Sequence, residues 1–208
     1  MKKKRKNILL IAGMLLALLV GILAYTDYTQ KQIYQESTEN LLSTYGQSAK
    51  TFTMFAQRNW NILTDWDGYL GALAERGEQE EQWQEYIAQK ATWQYTDFYL
   101  FNEQCEFWTT AGRQGTAEHM KDAFKELYAA NKPVISSYIS SQGIRKILFA
   151  VPMAQPLQLD GTTYTALAVS YDNAVLEKLL GSMVYEGQSD CYVVRSNGEV
   201  VLSTETKT

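Results

Sequence analysis

The sequence predicts an α+β protein: an N-terminal transmembrane helix, a long helix, a five-stranded antiparallel sheet with a crossover helix, and the first hairpin of a second such domain. Three observations predict this order. An uninterrupted apolar run follows a basic tip, the segment up to residue 74 has helical periodicity, and the apolar residues beyond it alternate as in strands. The 208 residues suffice for one ordinary domain and a fragment of another.

The apolar run at 8–25 predicts the transmembrane helix. It contains no charge and no proline, and as a helix it would span about 27 Å, close to the hydrocarbon thickness of a bilayer. The basic tip, 1–7, precedes it and Asp27 follows, so we expect a cytoplasmic N-terminus and an extracytoplasmic segment 26–208 at the cell membrane. A cleaved secretory signal is the alternative, but the run is long for one and "GILAYTD" offers a poor cleavage site.

The charge distribution excludes nucleic acid as a partner. Five of the 19 basic residues lie in the tip, and the other 14 are outnumbered by 23 acidic residues, which leaves the rest of the chain with a formal charge of −9. An acidic domain has no positive surface for a phosphate backbone.

The long helix is predicted over 26–74 from apolar positions that recur by alternate fours and threes between Tyr34 and Trp66. Three polar residues interrupt this seam: Thr38, Ser48 and Asn59. The pattern therefore fits either a homodimer formed along the helix or a helix packed on its own domain. Glycines and an acidic run then predict a break, followed by a second helix over 80–92.

The sheet is predicted from alternating runs. Two short runs around the turn "NEQC" form a hairpin over 97–110, and a crossover helix follows over 117–130. Three more strands are expected at 134–140, 144–153 and 163–171, separated by "SQG" and by "AQPLQLDG", in which Asp160 and Gly161 form a turn. A short helix, "NAVLEKLLGSM", ends this part of the chain.

The hairpin pattern then returns at 190–203. With a constant offset of 93, Tyr99 aligns with Tyr192, Glu106 aligns with Glu199, and the turn "NEQC" aligns with "RSNG". A hairpin alone is marginally stable. We therefore expect its remaining strands beyond Thr208, in a longer receptor, with a truncated gene product as the alternative.

The stretches "LAVSYDNAVLEKLL" and "YVVRSNGEVVLST", together with the basic tip, the membrane helix and a PAS-like sheet, resemble the extracytoplasmic double-Cache sensor region of bacterial membrane receptors. Hybrid sensor histidine kinases and diguanylate cyclases contain such regions. The resemblance implies a membrane-distal Cache domain over 75–172 that binds a small molecule, and a linker helix and incomplete membrane-proximal domain over 173–208. It implies a signal-transduction sensor that passes a conformational shift through its N-terminal helix. A membrane-anchored envelope assembly or interaction protein is the alternative.

Catalytic motifs are missing from the sequence. It contains no HExxH, no Gly-x-Ser-x-Gly and no phosphate-binding Gly-Lys-Ser/Thr, so we expect this chain not to be an enzyme and to need no cofactor, although a full receptor could carry a kinase or cyclase domain. One histidine, His119, and two cysteines, Cys105 and Cys191, are too few for a Cys/His metal cluster. His119 is expected at the surface or a pocket rim. The cysteines lie in different predicted domains, which favours two thiols over a disulfide.

Candidate ligand contacts come partly from the resemblance and partly from alternation. In the resembled family an aspartate at the end of the last distal strand can hold a ligand amine, and Asp172 falls at that place. The family's Arg-x-Trp-Tyr set for an amino-acid carboxylate is missing from 112–131, so an α-amino acid ligand is not supported. Aromatic walls with a few polar groups suit a small-molecule pocket, although each such residue equally fits core or surface. The candidates are Tyr99, Trp108, Tyr138, Arg145 and Asp172.

Overall fold

A computed structural model describes residues 2–76, 85, 97–109, 111–112, 114–159, 161–181, 192–195 and 198–203, with side chains from residue 13 onward except at positions 179 and 181. Helix α1 runs over Lys2–Glu75, and the chain forms two compact units, one up to Gln47 and one from Ser48 onward. In the described part, no helix combines the length and apolar character needed to cross a bilayer. The predicted span at 8–25 begins among residues whose side chains are not described, and the predicted helix at 80–92 lies outside the described residues apart from Glu85.

The main sheet is antiparallel and has six strands, so the predicted count of five was wrong. The strands are β1 (Asp97–Phe101), β2 (Glu106–Thr109), β3 (Gln114–Thr116), β4 (Val134–Ile139), β5 (Arg145–Leu159) and β6 (Thr162–Asp172). Their order across the sheet is β3-β2-β1-β6-β5-β4. The extra strand, β3, is a fully exposed Gln-Gly-Thr edge, and its sequence therefore carries no apolar alternation.

Strand β5 extends beyond the predicted end at residue 153, so the expected connection "AQPLQLDG" is largely strand. The register of β5 on β6 shifts between Pro152 and Leu157, because a proline cannot donate to a regular ladder. Within this irregular segment the backbone N–H of Ala154 donates to Oδ2 of Asp67 at 2.8 Å. Gly161, with a φ of 76°, forms part of the turn to β6, while Asp160 lies outside the described residues.

The crossover between β3 and β4 is helical, as predicted. A 3₁₀ turn, Glu118–Met120, leads into α2, Lys121–Ala130, which ends at Asn131 in the left-handed conformation. After β6 the chain enters α3, Asn173–Gly181. A separate antiparallel hairpin, β7 (Tyr192–Val194) and β8 (Val200–Ser203), then follows.

Each face of the main sheet has its own apolar core. Phe52, Leu63 and Leu70 of α1 lie in one cluster with the inward residues of the central strands. This burial matches the sequence alternative in which the helix packs on its own domain. On the other face, Phe124 and Leu127 of α2 pack in a second cluster with Tyr99 and Phe101. Alternate residues of each strand therefore face different helices.

The turns of the two hairpins are the same at an offset of 93. Asn102 accepts the backbone N–H of Cys105 at 3.0 Å, and Arg195 accepts that of Gly198 at 2.9 Å. The φ angles are positive at the equivalent positions, 61° at Cys105 and 86° at Gly198. The repeat predicted from the sequence is thus present in the backbone of both turns.

Candidate ligand-binding site

A cavity of about 360 Å³ lies on the α2 side of the main sheet. Its sheet wall is built from β1, β2, β4 and β5, and β3 with the 3₁₀ turn closes another side. Four aromatic residues line it: Tyr99, Phe101, Phe107 and Tyr138. The polar and charged lining residues are Asp97, Thr109, Gln114, Thr116, His119, Ser140, Ser141 and Lys146. The size and this mixture of groups are those of a small-molecule site.

The aromatic wall is held by ring-to-ring contacts. The rings of Tyr99 and Phe101 stack with centroids 5.6 Å apart, and Phe107 meets Tyr99 edge-on at 5.6 Å. Tyr138 meets Tyr99 edge-on at 6.4 Å. Such offset and edge-to-face pairs favour fixed ring positions, so the wall is preorganised for an apolar or planar ligand body.

A line of hydroxyl groups crosses the sheet beside these rings. The phenol oxygens of Tyr99 and Tyr138 are 2.5 Å apart, and Tyr138 donates to Oγ of Ser170 over 3.4 Å. Burial, followed by the hydrogen bond with Tyr138, raises the pKa of Tyr99 far above that of a free phenol. Tyr99 therefore stays protonated at physiological pH and offers a neutral hydroxyl.

Three charged side chains lie at one end of the cavity. The Lys146 ammonium nitrogen is 2.6 Å from Oδ2 of Asp97 and 3.8 Å from Oδ1 of Asp172. The side chains of Lys146 and Asp97 are only 9% and 10% exposed, whereas that of Asp172 is 38% exposed. The buried carboxylate is thus paired with a buried cation of the same chain, as desolvation requires.

The structure brings two of the five predicted contacts, Tyr99 and Tyr138, into this cavity. Asp172 ends β6 and reaches Lys146 but does not line the cavity. Trp108 pairs with Leu100 in the hairpin, which places its side chain in the core on the α1 side. Arg145 pairs with Ile139 at the end of β5 and borders a shallow cleft that Tyr138 and His119 also line.

Sequence reasoning missed several lining residues, among them Asp97, Phe107, Thr109 and Lys146. The hairpin register carries the signal for two of them, because Phe107 lies opposite Phe101 and Thr109 lies opposite Tyr99. For Lys146, the signal is its place opposite Tyr138 across β4 and β5. His119 lies at the rim, as expected, with its ring centroid 5.8 Å from that of Tyr138.

No group of three or more histidine, cysteine or carboxylate side chains capable of holding a metal ion occurs among the described residues. Cys105 is a buried free thiol whose pKa is raised by burial, and Cys191 lies outside the described part. A buried thiol of raised pKa is a poor nucleophile. The cavity therefore offers binding groups rather than an activated nucleophile at Cys105.

No protein-family model and no curated protein sequence matches this chain. Solved structures do match it. The isoleucine-bound sensory domain of the Campylobacter jejuni chemoreceptor Tlp3 has a TM-score of 0.58 at 13% identity, covering 85% of this chain and 74% of that chain. The L-valine complex of the Tlp3 ligand-binding domain gives 0.56 at 13% identity, with 85% and 75% covered.

A receptor from a second organism has the same fold. The ligand-binding domain of the Pseudomonas aeruginosa PAO1 amino acid chemoreceptor PctC, in complex with GABA, has a TM-score of 0.56 at 15% identity, covering 80% of this chain and 76% of that chain. At these identities the similarity shows the fold alone. The chain has the fold of Cache-type sensor domains, and the fold resemblance predicted from the sequence is confirmed.

Proposed function

We propose that this chain is the ligand-sensing region of a bacterial membrane receptor and that the cavity beside Tyr99 and Tyr138 binds a small organic molecule. The observation that supports it most is the cavity itself, about 360 Å³ with four aromatic walls and converging polar groups on one face of a sensor-type sheet. The similar structures were solved with isoleucine, L-valine and GABA bound. A binding role therefore agrees with both the fold and the cavity.

The ligand we propose has an apolar body with hydroxyl, amide or carbonyl groups, and it is not an α-amino acid. Asp97, which could hold a ligand amine, is already paired with Lys146. The stretch 112–131 contains no tryptophan and lacks the Arg-x-Trp-Tyr set that would hold an amino-acid carboxylate. The neutral hydroxyl of Tyr99, with the side chains of Thr109 and Gln114, provides donors and acceptors for an uncharged ligand.

The proposed mechanism is a population shift. A ligand that contacts both the sheet and the cover formed by the 3₁₀ turn and α2 favours one packing of these elements, and it can shift the equilibrium only by its differential affinity for the two packings. Because α1 packs on the opposite face of the same sheet, we propose that α1 carries the displacement to a membrane helix at 8–25. Membrane attachment with a cytoplasmic N-terminus, and a homodimer along the long helix, belong to this proposal.

The test is a thermal-shift screen of the full chain in detergent against a metabolite library. A true ligand raises the melting temperature in proportion to the logarithm of its concentration. Tyr138→Phe removes one hydroxyl from the cavity and should weaken that ligand's affinity about tenfold. Tyr34→Phe, at an exposed position on α1, is the matched control and should leave the affinity unchanged.

If no compound in a broad library stabilises the chain, ligand sensing loses its support. A stable complex with another envelope protein would then favour the assembly alternative.

A further inference from the structure

Lys146 occupies an unusual place for a lysine, inside a cavity that can accept a ligand. Its side chain is 9% exposed, although lysine is rarely buried unless it is paired. Its ammonium nitrogen lies within 4 Å of carboxylate oxygens from two different strands, Asp97 on β1 and Asp172 on β6. A cation of the chain itself therefore fills the position between two acidic groups where a ligand cation could otherwise bind.

The sheet fixes this position through its backbone register. Lys146 lies directly opposite Asp172 across β5 and β6, and Asp97 lies opposite Ser170 across β1 and β6. On its other side, Lys146 lies opposite Tyr138, whose ring lines the cavity. All of these groups project from paired strands rather than from loops, so they are held on a rigid support.

We propose that Lys146 is the specificity-determining residue of the cavity: its ammonium group occupies the cation position between Asp97 and Asp172, so the cavity rejects ligands with an ammonium group at this end. An incoming cation would have to displace Lys146 or lie beside it in a partly dehydrated site, where like charges repel more strongly than in water. As a statement about the natural ligand, this inference rests on the proposed function. The occupied cation position can be tested without that ligand.

The test replaces the lysine side chain by a free molecule. Lys146→Ala removes the atoms from Cγ to Nζ, which are those of n-propylammonium. In the full chain in detergent, this probe should raise the melting temperature of Lys146→Ala by about 4 °C for each tenfold increase in concentration above its Kd. The wild type should not respond, because its own ammonium group fills the position.

Two controls separate charge from shape and from salt. The neutral isostere n-propanol should stabilise Lys146→Ala far less, and sodium chloride at equal concentration should not reproduce the effect. Lys146→Met fills the same space without a charge, so n-propylammonium should not stabilise it. If Lys146→Ala does not fold, Lys146→Gln leaves a smaller gap, and methylammonium chloride should stabilise that variant more than sodium chloride does.

Equal responses to n-propylammonium and n-propanol, or no response of either shortened variant, would overturn the proposal. So would stabilisation of the wild type by n-propylammonium equal to that of Lys146→Ala. These outcomes differ from failure of the proposed function, in which no metabolite stabilises the wild type while n-propylammonium still rescues Lys146→Ala.

Discussion

Asp67 is a buried carboxyl group in α1, only 7% exposed. One oxygen accepts the N–H of Ala154 in the irregular part of β5, and the other is buried without a hydrogen-bond partner in the described structure. Burial, partly offset by the bond from Ala154, raises the pKa of this carboxyl group above its ordinary value. The ionised form is therefore less favourable in the folded chain than in the unfolded chain.

We expect Asp67→Asn to stabilise the folded chain by about 1 kcal/mol at pH 7, because it removes a charge from a site that does not fully solvate it. The sign with pH follows from the raised pKa. The folded wild type binds its proton more tightly than the unfolded chain, so the contribution of Asp67 to stability is complete below about pH 4 and is lost as the pH rises through the folded pKa. The advantage of Asp67→Asn should therefore grow with pH, as urea unfolding between pH 4 and 8 would measure.

Asp65→Asn is the matched control, since Asp65 lies two residues earlier on the exposed side of the same helix. It should change the unfolding free energy by less than about 0.5 kcal/mol. A difference between Asp67→Asn and wild type that stays constant over the pH range would contradict the account of Asp67 given above.

The site residues show how far single positions can be predicted from sequence. Alternation correctly placed Tyr99 and Phe101 on one face, because it depends only on the period of a strand. It could not decide which residues of β2 join them, because a shift of one residue in the hairpin register exchanges the two faces. The observed register sends Trp108 to the α1 side and brings Phe107 to the cavity. The same one-residue difference separates Arg145 from Lys146.

Among the elements, the two equivalent turns differ in the residue at their positive-φ position. Gly198 has a φ of 86° and open space around it, so Gly198→Ala should lower stability through backbone strain alone, by about 1 kcal/mol. Gly68 lies exposed within α1, also with open space, and Gly68→Ala should instead raise stability by up to about 1 kcal/mol. Chemical unfolding of both variants measures the contrast. Equal effects of the two substitutions would contradict the assigned backbone conformations.

Element prediction succeeded where an apolar pattern was long or repeated. The end of the long helix, the crossover helix and the hairpin turn at 195–198 agree with the sequence analysis, because each has several periodic or turn-forming residues. It failed at β3, which buries nothing, and in β5, where a proline and polar residues read as a connection. Both segments are strands because neighbouring strands pair with them, and a local pattern does not contain that information.

At the scale of the whole molecule, one apolar cluster includes residues from both ends of the unit that begins at Ser48. It includes Phe52 and Leu63 of α1, Leu176 of α3, and Val201 and Leu202 of β8. Val201 and Leu202 are fully buried. The hairpin β7–β8, although a separate sheet, therefore shares its core with the main domain, which supplies the burial that an isolated hairpin lacks.

This shared core predicts that the hairpin unfolds together with the main sheet. Leu202→Ala should destabilise the entire unit by about 2–4 kcal/mol, because it removes buried methyl groups and leaves a cavity in the common cluster. Val200→Ala, at a position 40% exposed on the same strand, is the control and should cost less than about 1 kcal/mol. Tryptophan fluorescence and far-ultraviolet circular dichroism should report coincident transitions in both variants, shifted far more in Leu202→Ala. A variant Leu202→Ala with an unchanged melting temperature would show instead that the hairpin folds and unfolds independently of the domain that carries the cavity.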